Sequence, residues 1–335
     1  MTAGLAAVRR AADPLARRPG GRAVLWVVGL LALWAVLAAA LPHGAPTGII
    51  IQGLILGAIN GLVALAVVLV WRASRYLNFA AAALGAVAAV LAIEMHIKLN
   101  LNYFVCMATG IVAAGLIGGV VEVFILRRFA NAPRLIVAVA TIGVGQILFA
   151  LSVIIPVEWN AGNNSGHFTT PFNIHFTIAP VVFNGNYVVA MVVVPVVMAA
   201  LTWFFRYTSY GVAIRAAADN GDRARLLGIP VRRLSTIIWI MTGVLSGLAI
   251  LLRVPIEGFS SFASVSNDGA ELLLFIFTAA VVAGMTSLPV AVLASMALGV
   301  LDSLGAWTFQ NSSLVDALLL VVIFLALFFR RQTLS

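Results

Sequence analysis

The segment Asp219 to Pro230 gathers the side chains best suited to act on something beyond the chain. It reads Asp219-Asn220-Gly221-Asp222-Arg223-Ala224-Arg225-Leu226-Leu227-Gly228-Ile229-Pro230. Asp219 suits a helix N-cap, where a carboxylate accepts from the open backbone N–H groups of the first turn, and Asp222 adds negative charge in that turn. Gly228 can take the left-handed backbone that ends a helix, and Pro230 cannot continue one. The spacing predicts a helix of about two turns between them. Its apolar contribution is Leu226 and Leu227, with charge from Arg223 and Arg225 beside them. Adjacent leucines on a short charged helix are satisfied either by a groove on a partner protein or by a membrane surface. The chemistry on offer is recognition, not bond making.

Covalent chemistry finds no constellation. The four histidines, His43, His96, His167 and His175, are far apart and fall in expected outside loops, without the H-E-x-x-H spacing of a metal site. There is no G-x-S-x-G, no Asp-rich diphosphate-binding run and no G-x4-G-K-[ST] loop, so the chain does not itself bind ATP in that way. The single cysteine, Cys106, excludes an internal disulfide framework and reads as packing. Acids within apolar runs are few. Glu122 falls at the inner end of one run, within reach of Arg127 or Arg128, while Asp302 and Asp316 fall near the outer surface. An ion-coupled transporter needs an ionisable group near the middle of the bilayer, and its absence implies that energy enters from elsewhere. Asn60, Asn78, Thr141, Gln146 and Ser246 are polar residues inside apolar runs. Each has two readings, a lining of a pathway or a hydrogen bond between helices.

The elements that must position these residues are membrane helices. Of 335 residues, 63% are hydrophobic and 9% charged, against about 25% charged in a soluble domain, and the mean hydropathy is +1.11. Such a chain cannot cover a water-exposed surface, so soluble enzymes, nucleic-acid binders and disordered tails are excluded. The fold class is all-α integral membrane, because the apolar runs are continuous and do not alternate. Ten runs are long enough: 23–41, 48–71, 77–93, 103–121, 135–155, 187–205, 234–252, 272–288, 289–306 and 314–329. Alternating them from a cytoplasmic N-terminus places 18 of the 20 Lys and Arg inside, with Lys98 and Arg253 outside, and puts both termini in the cytoplasm. The net charge of +9 is then a sign of topology and not of nucleic-acid binding.

This frame gives a basic cytoplasmic arm at 1–22 suited to anionic lipid, an additional N-terminal helix and loop at 23–47, and a main membrane domain at 48–331. The basic, apolar and Ala-rich order of 17–41 also resembles a secretory signal. The longest inside loop is 206–233, and the longest outside loop is 156–186. From Leu272 to Leu301 there are thirty uncharged residues, broken at Thr286-Ser287-Leu288-Pro289. They form either a tight helical hairpin or discontinuous half-helices.

Gly53, Gly57 and Gly61 repeat at four-residue spacing, as do Gly243 and Gly247. Small residues so spaced let helix backbones approach closely in lipid. Gly57-x3-Gly61-Leu62-x2-Leu65 also matches Gly243-x3-Gly247-Leu248-x2-Leu251. The two stretches are five spans apart and would run in opposite directions, as in a five-plus-five inverted repeat. Chance likeness between low-complexity stretches is the other reading.

Four blocks, in this order and spacing, resemble the permease subunits of ABC importers of the branched-chain amino acid family. They are Gly53 to Leu65 with Leu77-Asn78-Phe79-Ala80; Glu122 to Arg127 with Pro133-Arg134-Leu135 and Thr141-Ile142-Gly143; Gly211 to Leu251; and Ala279 to Gly284 with Ser287-Leu288-Pro289. The chain departs from the family's pattern at Ala81-Ala82-Ala83, Ala283, Val290 and Ala294-Ser295, and carries the extra N-terminal helix, as a divergent member would. The resemblance implies a multi-pass protein of a bacterial cytoplasmic membrane that pairs with a second, related permease. Two cytoplasmic ATPases would bind the ATP, and an extracytoplasmic binding protein would deliver the substrate. The chain itself would be no enzyme and would hold no cofactor or metal. Arg215, Asp219, Asp222, Arg223, Arg225, Leu226, Leu227 and Gly228 would then form the ATPase-coupling element, with Arg215 at its base. The rival is an ATP-independent secondary transporter or channel, with Leu226 and Leu227 on lipid. A membrane enzyme would need a catalytic cluster, and none is found.

Overall fold

The computed structural model describes residues 44–129, 132–158, 168, 170–219, 221–257, 269–285 and 287–309, together with 317, 320 and 321. The expected helix at 23–41, nearly all of 314–329, and Asp316, His43 and His167 lie outside the described residues.

Among the described residues, seven helices are long and apolar enough to cross a membrane. They are α1 (Thr47–Ser74), α2 (Ala81–Leu99), α3 (Tyr103–Val120), α4 (Arg134–Glu158), α5 (Gly185–Tyr207), α8 (Val231–Glu257) and α10 (Leu288–Phe309). Between α5 and α8 lie two short helices, α6 (Ser209–Asp219) and α7 (Gly221–Leu226). Before α10 comes α9 (Gly269–Val282). Each expected span between 48 and 306 therefore meets a helix. The run at 272–288 does so in reduced form. The 14 residues of α9 rise only about 21 Å, short of the ~30 Å hydrocarbon core. Gly284 at φ +69° and Met285 at φ +56° turn the chain directly into α10.

Two local features depart from simple spans. Helix α3 does not stop at its expected end but continues through a π turn, Val121–Ile125, and a 3-10 turn, Leu126–Phe129. Within the outer loop expected at 156–186, α4 runs to Glu158 and a small antiparallel hairpin joins β1 (His175–Ile178) to β2 (Val181–Asn184). Phe168 is buried and stacks on Tyr103 at 4.7 Å.

The core is built around α1. Every residue from Ile59 to Val70 is buried, the pattern of a helix enclosed on all sides. Its expected glycine stripe meets α10: a Cβ on Gly53 would lie 2.6 Å from the Gly299 carbonyl, and one on Gly57 2.5 Å from the Ser295 carbonyl. Ser295 Oγ donates to the Gly57 carbonyl at 2.7 Å. The second stripe, on α8, meets α3, where a Cβ on Gly243 would run into the Ala114 carbonyl. On another face of α8, Ser246 Oγ donates to the Ala81 carbonyl and accepts from the Gly85 N–H at 3.0 Å, fixing α2. By contrast, α4 and α5 turn Leu135, Ile147, Val192, Val196 and Trp203 outward, a surface suited to lipid or to another membrane subunit.

Gly243→Leu should therefore cost about 1–3 kcal/mol by overpacking and lower the melting temperature of the detergent-purified chain. Gly143→Ala, where an added Cβ meets nothing within 4 Å, should leave it unchanged or slightly raised. Equal melting temperatures for the two variants would refute the seam.

Candidate functional site

The α6–α7 unit is held to the membrane helices from three sides. At its start, Thr208 Oγ1 donates to the Phe204 carbonyl at 2.6 Å and accepts from the Gly211 N–H at 3.0 Å, so one hydroxyl closes α5 and caps α6. Gly211 is needed there because a Cβ would strike the Phe204 carbonyl. At its middle, Arg75 follows the last turn of α1 in left-handed backbone and donates to the Ala218 carbonyl at 3.2 Å. A guanidinium at the carbonyl end of α6 is favoured by both the open acceptor and the helix dipole. At its end, the chain leaves α7 through the turn expected at Gly228, whose φ is +79°. The Gly228 N–H donates to the Arg225 carbonyl and the Ile229 N–H to the Ala224 carbonyl, both at 3.0 Å. Pro230 then opens α8, accepting from Arg233 N–H at 2.9 Å.

The result is a short helix with one buried foot and an exposed tip. Ala224 is 3% exposed, whereas Leu226 and Leu227 are 88% and 80% exposed. Arg223 and Arg225 are exposed beside them. Asp222 lies in the first turn of α7, as expected. Asp219 does not open that helix. It is the last residue of α6, because the chain is already helical from Ser209 and bends only after Asp219. Arg215 is exposed and lines a cavity of about 200 Å³ with Leu65, Phe205, Arg206 and Pro289, against α1, α5 and the start of α10.

The candidate pathway residues divide. Thr141 Oγ1 donates to the Ala138 carbonyl at 2.7 Å and accepts from Phe79 N–H at 3.1 Å. With the Ser246 bonds to α2, this means that both hydroxyls are engaged by backbone around the first turn of α2. Asn78 is brought to the same place. Its Oδ1 accepts from Ala80 N–H at 3.0 Å, while its fully buried Nδ2 has no partner among the described residues. Asn60 is buried in α1, and Gln146 stands on the exposed face of α4, apart from this group.

Three further groups were not singled out from the sequence. Glu94 is 1% exposed within α2, and its Oε2 has no hydrogen-bond partner among the described residues. Its charge makes it look like the end of a span, yet the helix continues five residues further. His96, expected in a loop, is in the last turn of that helix and pairs through Nδ1 with the Leu101 carbonyl at 2.7 Å. Thr236, on the first turns of α8, donates to Glu122 at 2.8 Å and accepts from Arg127 at 2.9 Å, while Arg127 faces Glu122 at 3.4 Å. The sequence paired the acid with Arg127 or Arg128; Arg127 makes the contact. A cavity of about 510 Å³ beside them is lined by the end of α1, the turns after α3 and the starts of α4 and α8. The arginine-bearing ends of these helices therefore lie on one side of the molecule.

A family model described as "Branched-chain amino acid transport system / permease component" matches residues 49–327. The branched-chain amino acid permease BraD of Pseudomonas aeruginosa is 27% identical over 291 residues, covering 82% of this chain and 92% of the relative. LivH of Escherichia coli is 25% identical over 306 residues, with the same coverage. Among solved structures, PsaBC from Streptococcus pneumoniae, in complex with Fab, is 16% identical with a TM-score of 0.49, covering 83% of this chain and 89% of that one.

Arg75→Gln should weaken the hold on the end of α6 by about 1 kcal/mol. Amide exchange across 209–219 should then speed up about fivefold with the spans unaffected. Unchanged exchange there would remove Arg75 from the anchor.

Proposed function

The chain belongs to the branched-chain amino acid transport system permease family, and on that premise we propose that it is one permease subunit of an ABC importer for branched-chain or related amino acids. It is a multi-pass membrane protein, and the motor lies elsewhere. In this reading two cytoplasmic ATPases dock on the 206–233 loop, a second related permease completes the path, and an extracytoplasmic binding protein delivers substrate. The observation that carries the reading is α7: two adjacent leucines almost fully exposed on a helix whose foot is buried and whose exit is hydrogen-bonded. Exposed leucines on a firmly held helix suit a partner groove. Closure of the ATPase dimer would push on Leu226 and Leu227, flanked by Arg223 and Arg225. The push would enter α8 through Gly228, whose turn leads straight into that helix, and would enter α1 through Arg75. Arg215, Asp219 and Asp222 belong to the same lever. Asn60, Asn78, Thr141, Gln146 and Ser246 are the candidates for the path.

The full topology is part of this proposal: ten spans with both termini cytoplasmic, a basic arm at 1–22, an additional helix within 23–47, a permease domain at 48–331 and the outer loop 156–186 facing the binding protein. So is the five-plus-five inverted repeat. It is supported by mirrored packing, since α1 lies against α10 as α8 lies against α3, and α8 lies against α2 as α1 lies against α9. At the α1–α10 and α8–α3 crossings, a glycine from one of the two matched stretches, Gly57 or Gly243, meets the neighbour's backbone.

Purification of the chain from its native membranes in mild detergent should bring an ATPase and a second permease in near-equal amounts. Leu226→Asp should insert normally yet lower substrate uptake and substrate-stimulated ATP hydrolysis by about tenfold or more, the effect of burying an unpaired charge in the docking groove. Uptake at the normal rate, or transport by the chain alone without ATP, would overturn the reading.

A further inference from the structure

The 510 Å³ cavity at the arginine-bearing end adjoins the proposed docking helix through Arg225 and holds none of the proposed path residues. Its wall carries four guanidinium groups, on Arg127, Arg134, Arg225 and Arg232, and one carboxylate, Glu122. The carboxylate is already engaged, by Arg127 at 3.4 Å and by the Thr236 hydroxyl at 2.8 Å. Two long helices also begin at this wall. Arg134 is the first residue of α4 and Arg232 the second of α8, and neither helix has an acid in its first turn. A helix start presents unpaired N–H groups and a positive dipole end, so an arginine is disfavoured there and an anion favoured. Sorting positive charge to one side of a membrane requires neither a cavity nor arginines at helix starts. Arginines that line one cavity repel one another, and an anion placed among them lowers that repulsion.

We propose that this cavity is a binding site for a phosphate group, held by Arg134 and Arg232 at the two helix starts and by Arg225 from α7. Guanidinium forks match phosphoryl oxygens two at a time, which a simple halide cannot exploit, and the volume exceeds that of a single small ion. The Tyr76 phenol also lines the cavity. Burial raises its pKa, with a smaller contribution from the Glu122 charge, and a neutral phenol is a hydrogen-bond donor. The phosphate has two sources, the headgroup of an anionic phospholipid in the adjoining leaflet or a soluble phosphate from the aqueous side. Basic cavities between membrane helices at the cytoplasmic face suit lipid headgroups. Either source would bridge α7 to the first turns of α4 and α8, and so stiffen the helix that carries Leu226 and Leu227.

The test uses the full chain with its co-purifying partners, in bilayer discs of phosphatidylcholine alone or mixed with phosphatidylglycerol and cardiolipin. Native mass spectrometry counts retained lipid. The wild type should retain one anionic lipid per chain from the mixed discs, and Arg134→Gln/Arg232→Gln should retain about tenfold less. Arg128→Gln/Arg233→Gln removes the same charge from residues outside the cavity and should behave as wild type. For the soluble source, inorganic phosphate is titrated into the phosphatidylcholine discs. A rise in melting temperature with the wild type and the control pair, but not with the Arg134/Arg232 pair, would support the site with that source. Should the double Gln variant fail to fold, Arg134→Lys/Arg232→Lys keeps the charge, loses the forks and should still bind severalfold more weakly than wild type. Equal lipid retention and equal phosphate response in the cavity and control variants would overturn the proposal. So would cross-links from an ATPase partner to residues 134 and 232 with no phosphate or lipid retained, which would make the cavity a protein contact.

Discussion

Between helices in hydrocarbon there is no water to expel, so apolar side chains gain little by meeting one another, and association rests on close packing and interhelical hydrogen bonds. Everything else in this molecule depends on how α1 and α8 meet that constraint. Each is stripped to glycine where it crosses its main neighbour. Gly57 lets α1 come down on the Ser295 carbonyl, and Gly243 lets α8 come down on the Ala114 carbonyl. Hydroxyls then bind the backbones that the glycines admit: Ser295 bonds Gly57, and Ser246 bonds Ala81 and Gly85. The small residues and the hydroxyls are one device, because backbone groups can be reached across a helix pair only when no side chain holds the helices apart.

The same two helices hold the α6–α7 unit proposed above as the docking element. Helix α8 begins three residues after Gly228, and α1 ends at the arginine that grips the end of α6. A load on Leu226 and Leu227 would thus reach α1 and α8 through a turn and one guanidinium, with no long flexible linker between. Docking onto a loop moves a membrane domain only when the loop is stiffer than the motion it transmits. The capped ends of α6 and α7 supply that stiffness locally, and the glycine seams continue it into the bilayer.

The spans between 48 and 306 were legible because membrane burial demands unbroken apolar runs, and the two glycine stripes because four-residue spacing marks a helix face. The stop at Gly228 and Pro230 was legible for its backbone chemistry. What the sequence concealed depends on tertiary context. Glu94 looks like the end of a span, yet the helix encloses it and continues to Leu99. Asp219 has the chemistry of a cap, but α6 was not anticipated as a separate helix and absorbs it. Arg75 reads as one more inward-facing arginine. Only the fold shows that it reaches a carbonyl 143 positions away. The π turn after α3 has no sequence pattern of its own; it is visible only through the contact it aims, that of Glu122 with Thr236 and Arg127.

That polar contact settles how α3 and α8 can move. In their middle they are joined backbone to backbone at Gly243 and Ala114. At the arginine-bearing end they are joined again by the Glu122, Thr236 and Arg127 group, with Glu122 3% exposed. A buried carboxylate with a hydroxyl and a guanidinium against it resists separation, because parting them would leave charge unpaired in a low dielectric. Two such fastenings at different depths prevent α8 from tilting or sliding on α3 alone. If α7 docks a partner as proposed, a displacement entering α8 from it would carry α3 along, and the pair would act as the moving body. The unengaged Nδ2 of Asn78 and the carboxylate of Glu94 lie in α2 and the turn before it, the neighbour against which that body would shift.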